Sequence, residues 1–188
     1  MNGAIFDAIN DGAGHTAVID DPMKWAAEYL LYAVVLVAVG LWFWGRSREA
    51  RGVNRRLVLQ AALSGVISLG VVAVIQHFYQ HPRPFAVRGD VHLILSHSAD
   101  ASFPSEHVAV AAAVAGAFFW GARLVGTPML LAATALAFAR VFVGIHYPAD
   151  VAAALALGLA VSYVVVLVKP PFDLLQRSLT RCMPPALR

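Results

Sequence analysis

Residues 127–168 read TPMLLAATALAFARVFVGIHYPADVAAALALGLAVSYVVVLV, and this stretch decides the fold. It consists of two apolar runs broken by one short polar junction, His146-Tyr147-Pro148, with Arg140 before it and Asp150 after it. Each run approaches the ~20 residues that carry a helix across a hydrocarbon core. Proline fits the first turn of a new helix. The pattern predicts a helical hairpin through a membrane, bent at the histidine.

Three more apolar runs precede the hairpin, at residues 23–44, 57–78 and 105–120. With 127–145 and 148–168 they make five expected transmembrane helices, an all-α polytopic bundle. The run at 105–120 is the shortest, and its length alone would also suit a buried core helix. Arg123, Gly126 and Pro128 supply the short turn that joins it to the next run. Residues 1–22 are too polar to cross and are expected at the membrane interface. Of 188 residues, 60% are hydrophobic and 13% charged, against about 25% charged in an ordinary soluble domain. A single soluble domain is excluded, and five spans leave no room for a second domain. Cys182 is the only cysteine, which excludes a disulfide framework and a cysteine-ligated metal site; it reads as an idle thiol. No basic cluster precedes the first apolar run, which argues against a cleaved secretory signal.

Cytoplasmic connections collect Lys and Arg. The first connection holds Arg46, Arg48, Arg51, Arg55 and Arg56, and the C-terminal tail holds Lys169, Arg177, Arg181 and Arg188. If both lie inside, Arg123 falls inside as well. The acidic N-terminus, the segment 79–104 and His146 then face the exterior. Phe172, Leu174, Leu175 and Leu179 among basic residues suit either an interfacial amphipathic segment or a solvated tail.

Six of the seven histidines, His77, His81, His92, His97, His107 and His146, map to the outer face or to helix ends just beneath it. Ionisable groups in or near spans are costly and usually functional. Arg140, His146 and Asp150 are therefore site residues by default. His107 joins them, because the chain descends one helix from it and climbs the next to reach Arg140 and His146. Pro104-Ser105-Glu106-His107 and His146-Tyr147-Pro148-Ala149-Asp150 share a design, a proline and polar residues opening a helix. Free N–H groups at such starts attract anions, and the forks of Arg83 and Arg140 match phosphate oxygens. His146 and Asp150 lie about one turn apart, so the carboxylate can orient one ring nitrogen and leave the other as nucleophile or base. With a second histidine to supply a proton, the set suits phosphoryl transfer through a phosphohistidine. One histidine neutral and the other protonated would give a bell-shaped pH profile. His15, His77, His92 and His97 read as hydrogen-bonded surface residues, and Tyr147 and Phe103 as interface anchors.

These residues resemble the type 2 phosphatidic acid phosphatases, membrane enzymes that share an active site with the vanadium haloperoxidases. The family's signature has three blocks, K-x6-R-P, P-S-G-H and S-R-x5-H-x3-D. This chain offers Arg83-Pro84, then Pro104-Ser105-Glu106-His107, then Arg140, His146 and Asp150 at the third block's spacing. The resemblance implies His146 as nucleophile, Asp150 as its orienting carboxylate and His107 as general acid. It also implies Arg83, Arg140 and Ser105 as phosphate ligands, with Pro84, Glu106 and Gln76 at matching positions beside them. Three positions depart from the pattern: Gln76 for the lysine, Glu106 for the glycine and Ala139 for the serine. Arg88 or a loop histidine is a candidate to replace the lost lysine charge. The departures, with the stretch Ala139 to Val151, look like the bacterial undecaprenyl-diphosphate phosphatase branch.

The resemblance thus implies a lipid phosphatase of a bacterial plasma membrane, needing no cofactor or metal and no nucleic-acid partner, while the charge pattern puts its site on the exterior face. The substrate the resemblance favours is undecaprenyl diphosphate in the bilayer, hydrolysed to undecaprenyl phosphate and phosphate, with phosphatidylglycerophosphate and phosphatidic acid as alternatives. Oligomeric state stays open. A zinc hydrolase built on His107, His146 and Asp150 is a competing reading, opposed by two neighbouring guanidinium groups. A binding or transport protein for an anionic lipid is another, opposed by the lack of an inverted repeat and by a histidine poised against a carboxylate.

Overall fold

The computed structural model describes residues 2–45 and 47–168, and beyond them 172, 174, 175, 178 and 179. The described residues form seven helices: α1 Asn2–Asn10, α2 Ala17–Phe43, α3 Arg48–Phe78, α4 Pro84–Val87, α5 Glu106–Gly121, α6 Arg123–Phe142 and α7 Pro148–Leu167. Four of them, α2, α3, α6 and α7, are long and apolar enough to cross a membrane. The fifth expected span is α5. Its 16 residues make a rod of about 24 Å, shorter than a hydrocarbon core of ~30 Å.

What α5 lacks in length it makes up in burial. From Val108 to Phe118 nearly every side chain is enclosed, and the helix packs against α2, α3, α6 and α7. Ala109, Ala111, Ala112, Ala113, Ala115 and Ala117 are all fully buried. Lipid is as apolar as any side chain, so membrane helices associate through close packing, which small residues permit. Gly158 of α7 shows how close: a Cβ there would lie 2.5 Å from the Ala109 carbonyl oxygen. The run 105–120 is therefore the bundle's central rod, and the other four long helices surround it.

Helix boundaries move where capping, not hydropathy, sets them. α2 begins at Ala17, six residues before the apolar run, because the Thr16 hydroxyl accepts the Val18 N–H and starts the helix. α3 begins at Arg48, capped by the Ser47 hydroxyl, so Arg48, Arg51, Arg55 and Arg56 form its first turns instead of a loop. Arg55 is buried and donates to the Trp42 carbonyl. At the same end, the Gln60 amide nitrogen of α3 lies within hydrogen-bond reach of the carbonyls of Val165, Val166 and Val168, at the end of α7 where carbonyls begin to lack helical partners. The expectations for Arg46, Lys169, Arg177, Arg181, Cys182 and Arg188 lie outside the described residues. In the tail Phe172 is buried, whereas Leu174, Leu175 and Leu179 are exposed.

The N-terminal segment is fastened to the end of the bundle. Asn10 is buried and donates to the carbonyls of Phe142 (2.8 Å) and His92 (3.0 Å), and its own oxygen accepts the His92 N–H at 2.9 Å. Arg88 pairs with Asp7 at 2.7 Å and Asp90 at 2.6 Å and lies over the Phe6 ring. Phe6 in turn packs on Tyr147. Helix α1 thereby braces the end of the bundle where α6 turns into α7.

Candidate active site

That turn is where the site is built. Gly144 has φ +88°, and a Cβ there would meet the Val91 side chain at 2.9 Å and the His92 carbonyl at 3.0 Å. Only glycine combines that backbone with that crowding. Two residues later His146 points into the bundle and is 2% exposed. Pro148 then opens α7 and puts Asp150 in its first turn. Asp150 Oδ2 accepts the Tyr147 N–H at 2.8 Å, so the carboxylate is fixed by the helix start that it caps.

The sequence suggested a direct hydrogen bond between His146 and Asp150. The structure corrects this: His146 Nδ1 and Asp150 Oδ2 are 3.6 Å apart, with Asp150 Oδ2 held by the helix cap. Ser102 fills the gap. Its hydroxyl donates to Asp150 Oδ2 at 2.5 Å and lies 3.3 Å from His146 Nδ1. With that proton committed to the carboxylate, the Ser102 oxygen can accept Nδ1–H, leaving Nε2 with its lone pair free. Ser102 is fully buried, and its own N–H donates to the His81 carbonyl.

Nε2 faces two of the groups expected around it. Arg83 Nη1 is 3.2 Å away and Ser105 Oγ is 3.1 Å away. Arg83, buried just before α4, is clamped on its other edge: Nε lies 2.7 Å and Nη2 2.6 Å from Asp100 Oδ1. Nη1 also donates to the Ile145 carbonyl at 3.1 Å. The next residue, Pro84, is buried at the first position of α4. Ser105 is the N-cap of α5, and its N–H donates to the Asp150 carbonyl. The helix starts of α5 and α7 thus meet at His146. Burial, with Arg140 and Arg83 close by, holds the His146 imidazole well below the usual histidine range. That favours the neutral ring at ordinary pH.

Arg140 and His107 form a second group. Arg140, on the last turn of α6 and 3% exposed, donates Nη1–H to the Ala27 carbonyl at 3.0 Å. Its Nη2 lies 3.3 Å from His97 Nε2, and its Nε is buried without a hydrogen-bond partner among the described residues. Arg140, His97 and His107 line a cavity of about 210 Å³ that faces α2 at Glu28, Tyr29 and Tyr32. His97 is therefore not the surface residue the sequence suggested. Burial first, then Arg83 and Arg140, lowers its pKa, so the neutral ring can accept from Arg140.

The remaining expected residues spread more widely. Gln76 donates its amide to the Pro104 carbonyl at 3.2 Å, bracing the loop before α5. Glu106 is exposed on the first turn of α5. Arg88, one candidate for the lost lysine charge, is instead engaged by Asp7 of α1 and by Asp90. Tyr147 packs between Phe6 and His81 and Phe103 sits edge-on to Tyr79, where the sequence suggested interface anchors. His15, His77 and His92 are exposed, as expected. Asp100 and Ser102 were missed altogether. Their one signal was proximity, since Asp100 to His107 reads D-A-S-F-P-S-E-H and every hydroxyl and acid ahead of a helix start is a potential partner for what the start binds.

Comparisons with known proteins meet this geometry from outside. Undecaprenyl-diphosphatase BcrC of Bacillus subtilis (strain 168) is 34% identical over 181 residues, covering 94% of this chain and 91% of that protein. The crystal structure of Aquifex aeolicus LpxE superposes with a TM-score of 0.71 at 24% identity, over 89% of this chain and 95% of that one. A transmembrane PAP2 type phosphatidylglycerolphosphate phosphatase from Bacillus subtilis superposes with a TM-score of 0.61 at 20% identity, over 87% and 83%. At those identities the two structures speak for the fold alone. The PAP2 superfamily model matches residues 56–172, the stretch that carries both helix starts, both arginines and both histidines of the site. On that match and the BcrC likeness together, the chain belongs to the PAP2 superfamily of membrane phosphatases.

Proposed function

We propose that the protein hydrolyses undecaprenyl diphosphate to the monophosphate and inorganic phosphate, with His146 as the nucleophile. The observation that carries this reading is the setting of Nε2, with Arg83 Nη1 at 3.2 Å and Ser105 Oγ at 3.1 Å. A terminal phosphoryl group approaching Nε2 would find donors for its equatorial oxygens already aimed, the preorganisation that dominates phosphoryl transfer. Nε2 attacks phosphorus while Nδ1–H, held by Ser102 and behind it Asp150, spreads the positive charge of the phosphohistidine. His107 protonates the leaving lipid phosphate and then takes a proton from the water that hydrolyses the phosphohistidine. Arg140 neutralises the leaving phosphate, and Pro84 holds Arg83 at the start of α4. Gln76 and Glu106 act at the rim, Gln76 through the Pro104 carbonyl.

The choice of substrate leans on the undecaprenyl-diphosphatase from Bacillus subtilis at 34% identity. The outward orientation leans on charge: Arg48, Arg51, Arg55, Arg56 and Arg123 lie at the end of the bundle opposite His146. A bacterial plasma membrane with the site outside fits a lipid left on the outer leaflet. The chemistry runs without metal, since a guanidinium 3.2 Å from Nε2 disfavours a divalent cation at that nitrogen.

Purified protein, offered undecaprenyl diphosphate, phosphatidylglycerophosphate and phosphatidate side by side with and without chelator, tests the reading. The expected result is phosphate release fastest from the diphosphate, insensitive to chelation, with an acid-labile phosphoryl group trapped on His146. Faster release from either monophosphate ester would reassign the substrate. Loss of activity on chelation would overturn the metal-free chemistry.

A further inference from the structure

The polar cavity at Arg140 has room for a headgroup and none for a lipid chain. Directly below it the same two helices part again. A hollow of about 400 Å³ opens between Ala33, Val34 and Val37 of α2 and Val125, Met129 and Ala132 of α6. It has no polar side chain in its lining.

We propose that this hollow receives the first part of the substrate's hydrocarbon chain, so that the lipid lies along the α2–α6 seam with its diphosphate at Arg140. The proposal rests on the reading of the protein as a lipid diphosphatase and adds where the chain goes. Register carries it. On α6, residues 125, 129, 132, 136 and 140 recur every three or four positions and so share one face. On α2, Tyr29, Ala33 and Val37 do the same. Tyr29 lines the polar cavity, and Ala33 and Val37 line the apolar one. The two cavities therefore follow one another along the α2–α6 interface, with the fully buried Leu136 packed between them. From Arg140 to Val125 that seam runs about 22 Å along the α6 axis, most of the depth of a hydrocarbon core.

Two other apolar hollows show what the seam has that they lack. One lies at Leu63, Val164, Val165 and Val168, the other at Ile67, Ala160 and Val161. Both sit where α3 meets α7, and neither has a site residue in its lining. Bilayer lipid can fill such dents without consequence. The α2–α6 hollow differs because its upper neighbour holds Arg140 and His107, which fix one end of whatever lies there. Its width comes from alanine: Ala33 and Ala132 face each other across it where larger side chains would close it.

The test fills the hollow. Ala33→Phe and Ala132→Phe, singly and together, are compared with Ala160→Phe in the α3–α7 dent, all as full-length protein in lipid nanodiscs. Each is offered a long-chain polyprenyl diphosphate and a short, water-soluble isoprenyl diphosphate. The expected result is a KM raised about tenfold or more for the long chain, with kcat on the short substrate within about twofold of wild type. Ala160→Phe should change neither. Equal losses on both substrates, or no loss on either, would overturn the proposal. Wild-type protein that cleaves neither substrate would overturn the phosphatase reading and this one with it, an outcome separate from variants that leave wild-type turnover untouched. Photocrosslinking of unmodified protein with a diazirine-bearing polyprenyl phosphate covers variants that do not fold. Label in residues 33–37 and 125–132 is expected, and label confined to α3 and α7 would overturn the assignment.

Discussion

The two halves of the site are finished to different degrees. Around His146 every group is braced: Arg83 by Asp100, Ser102 by Asp150, and Asp150 by the Tyr147 N–H. Around Arg140 there is a cavity, a buried guanidinium nitrogen with no hydrogen-bond partner among the described residues, and a wall of tyrosines on α2. In the reaction proposed above, the half that would act on charge developing at phosphorus is rigid in advance. The half that would admit the lipid is left with room. Rigid donors stabilise a transition state at little reorganisation cost, while an open pocket leaves binding energy to the substrate itself.

Breaking the braced half should cost most. His146→Gln is expected to lower kcat about 10⁵-fold or more while the protein elutes and melts like wild type, as steady-state phosphate release and a detergent thermal scan would show. Surviving activity above that floor would remove His146 as nucleophile. Arg83→Lys comes next, at about 10² to 10³-fold in kcat, because an ammonium cannot hold Asp100 on one edge and face Nε2 with the other. Ser102→Ala should cost about 10 to 100-fold, since Asp150 at 3.6 Å from Nδ1 still favours the right tautomer. Its signature is a shifted acid limb in the pH dependence of kcat/KM, which a mere packing defect would not move.

Acidity offers a gentler probe of the same contrast. Both His146 and His97 are held below the ordinary histidine range, chiefly by burial. Below about pH 6.5, the unperturbed value, the unfolded chain takes up protons that the folded protein refuses. Stability should therefore be constant with respect to these two rings above pH 6.5 and decline as pH falls beneath it. Melting curves between pH 5 and 8 would show this, and His97→Gln should flatten the decline. A melting temperature that rises on acidification would contradict the burial of both rings. In kinetics, a neutral His146 should keep the acid limb of kcat/KM below pH 6.5. Smallest of all, Asn10→Ala removes the tie between α1 and the Phe142 and His92 backbone. It should lower stability by about 1 to 3 kcal/mol with a modest fall in turnover.

How much of this was readable in the chain follows the same division. Arg83, Ser105, His146 and Asp150 are legible because each sits at or next to a helix start, and proline marks those starts. The long spans are legible because an apolar run of membrane length has few other uses. The boundary of α3 was misjudged because a serine cap outweighs five arginines in deciding where a helix begins. Asp100, Ser102 and His97 belong to the irregular stretch between α4 and α5, which has no period, so spacing says nothing about which side chains turn inward. Their partners become visible only when α5 and α7 are set side by side. The alanine richness of residues 109–117 points to close packing without saying which helix would be surrounded.

That surrounded helix has one more effect. A rod of sixteen residues that begins beside His146 and finishes near Arg123 at the other end of the bundle is too short to touch both faces of a bilayer. On the chemistry proposed above, phosphoryl transfer would then take place beneath the headgroups, as if the protein had sunk a well down to the oil. A substrate with most of its mass in that oil has only a short way to rise, and a competing soluble phosphate ester has a long way to descend.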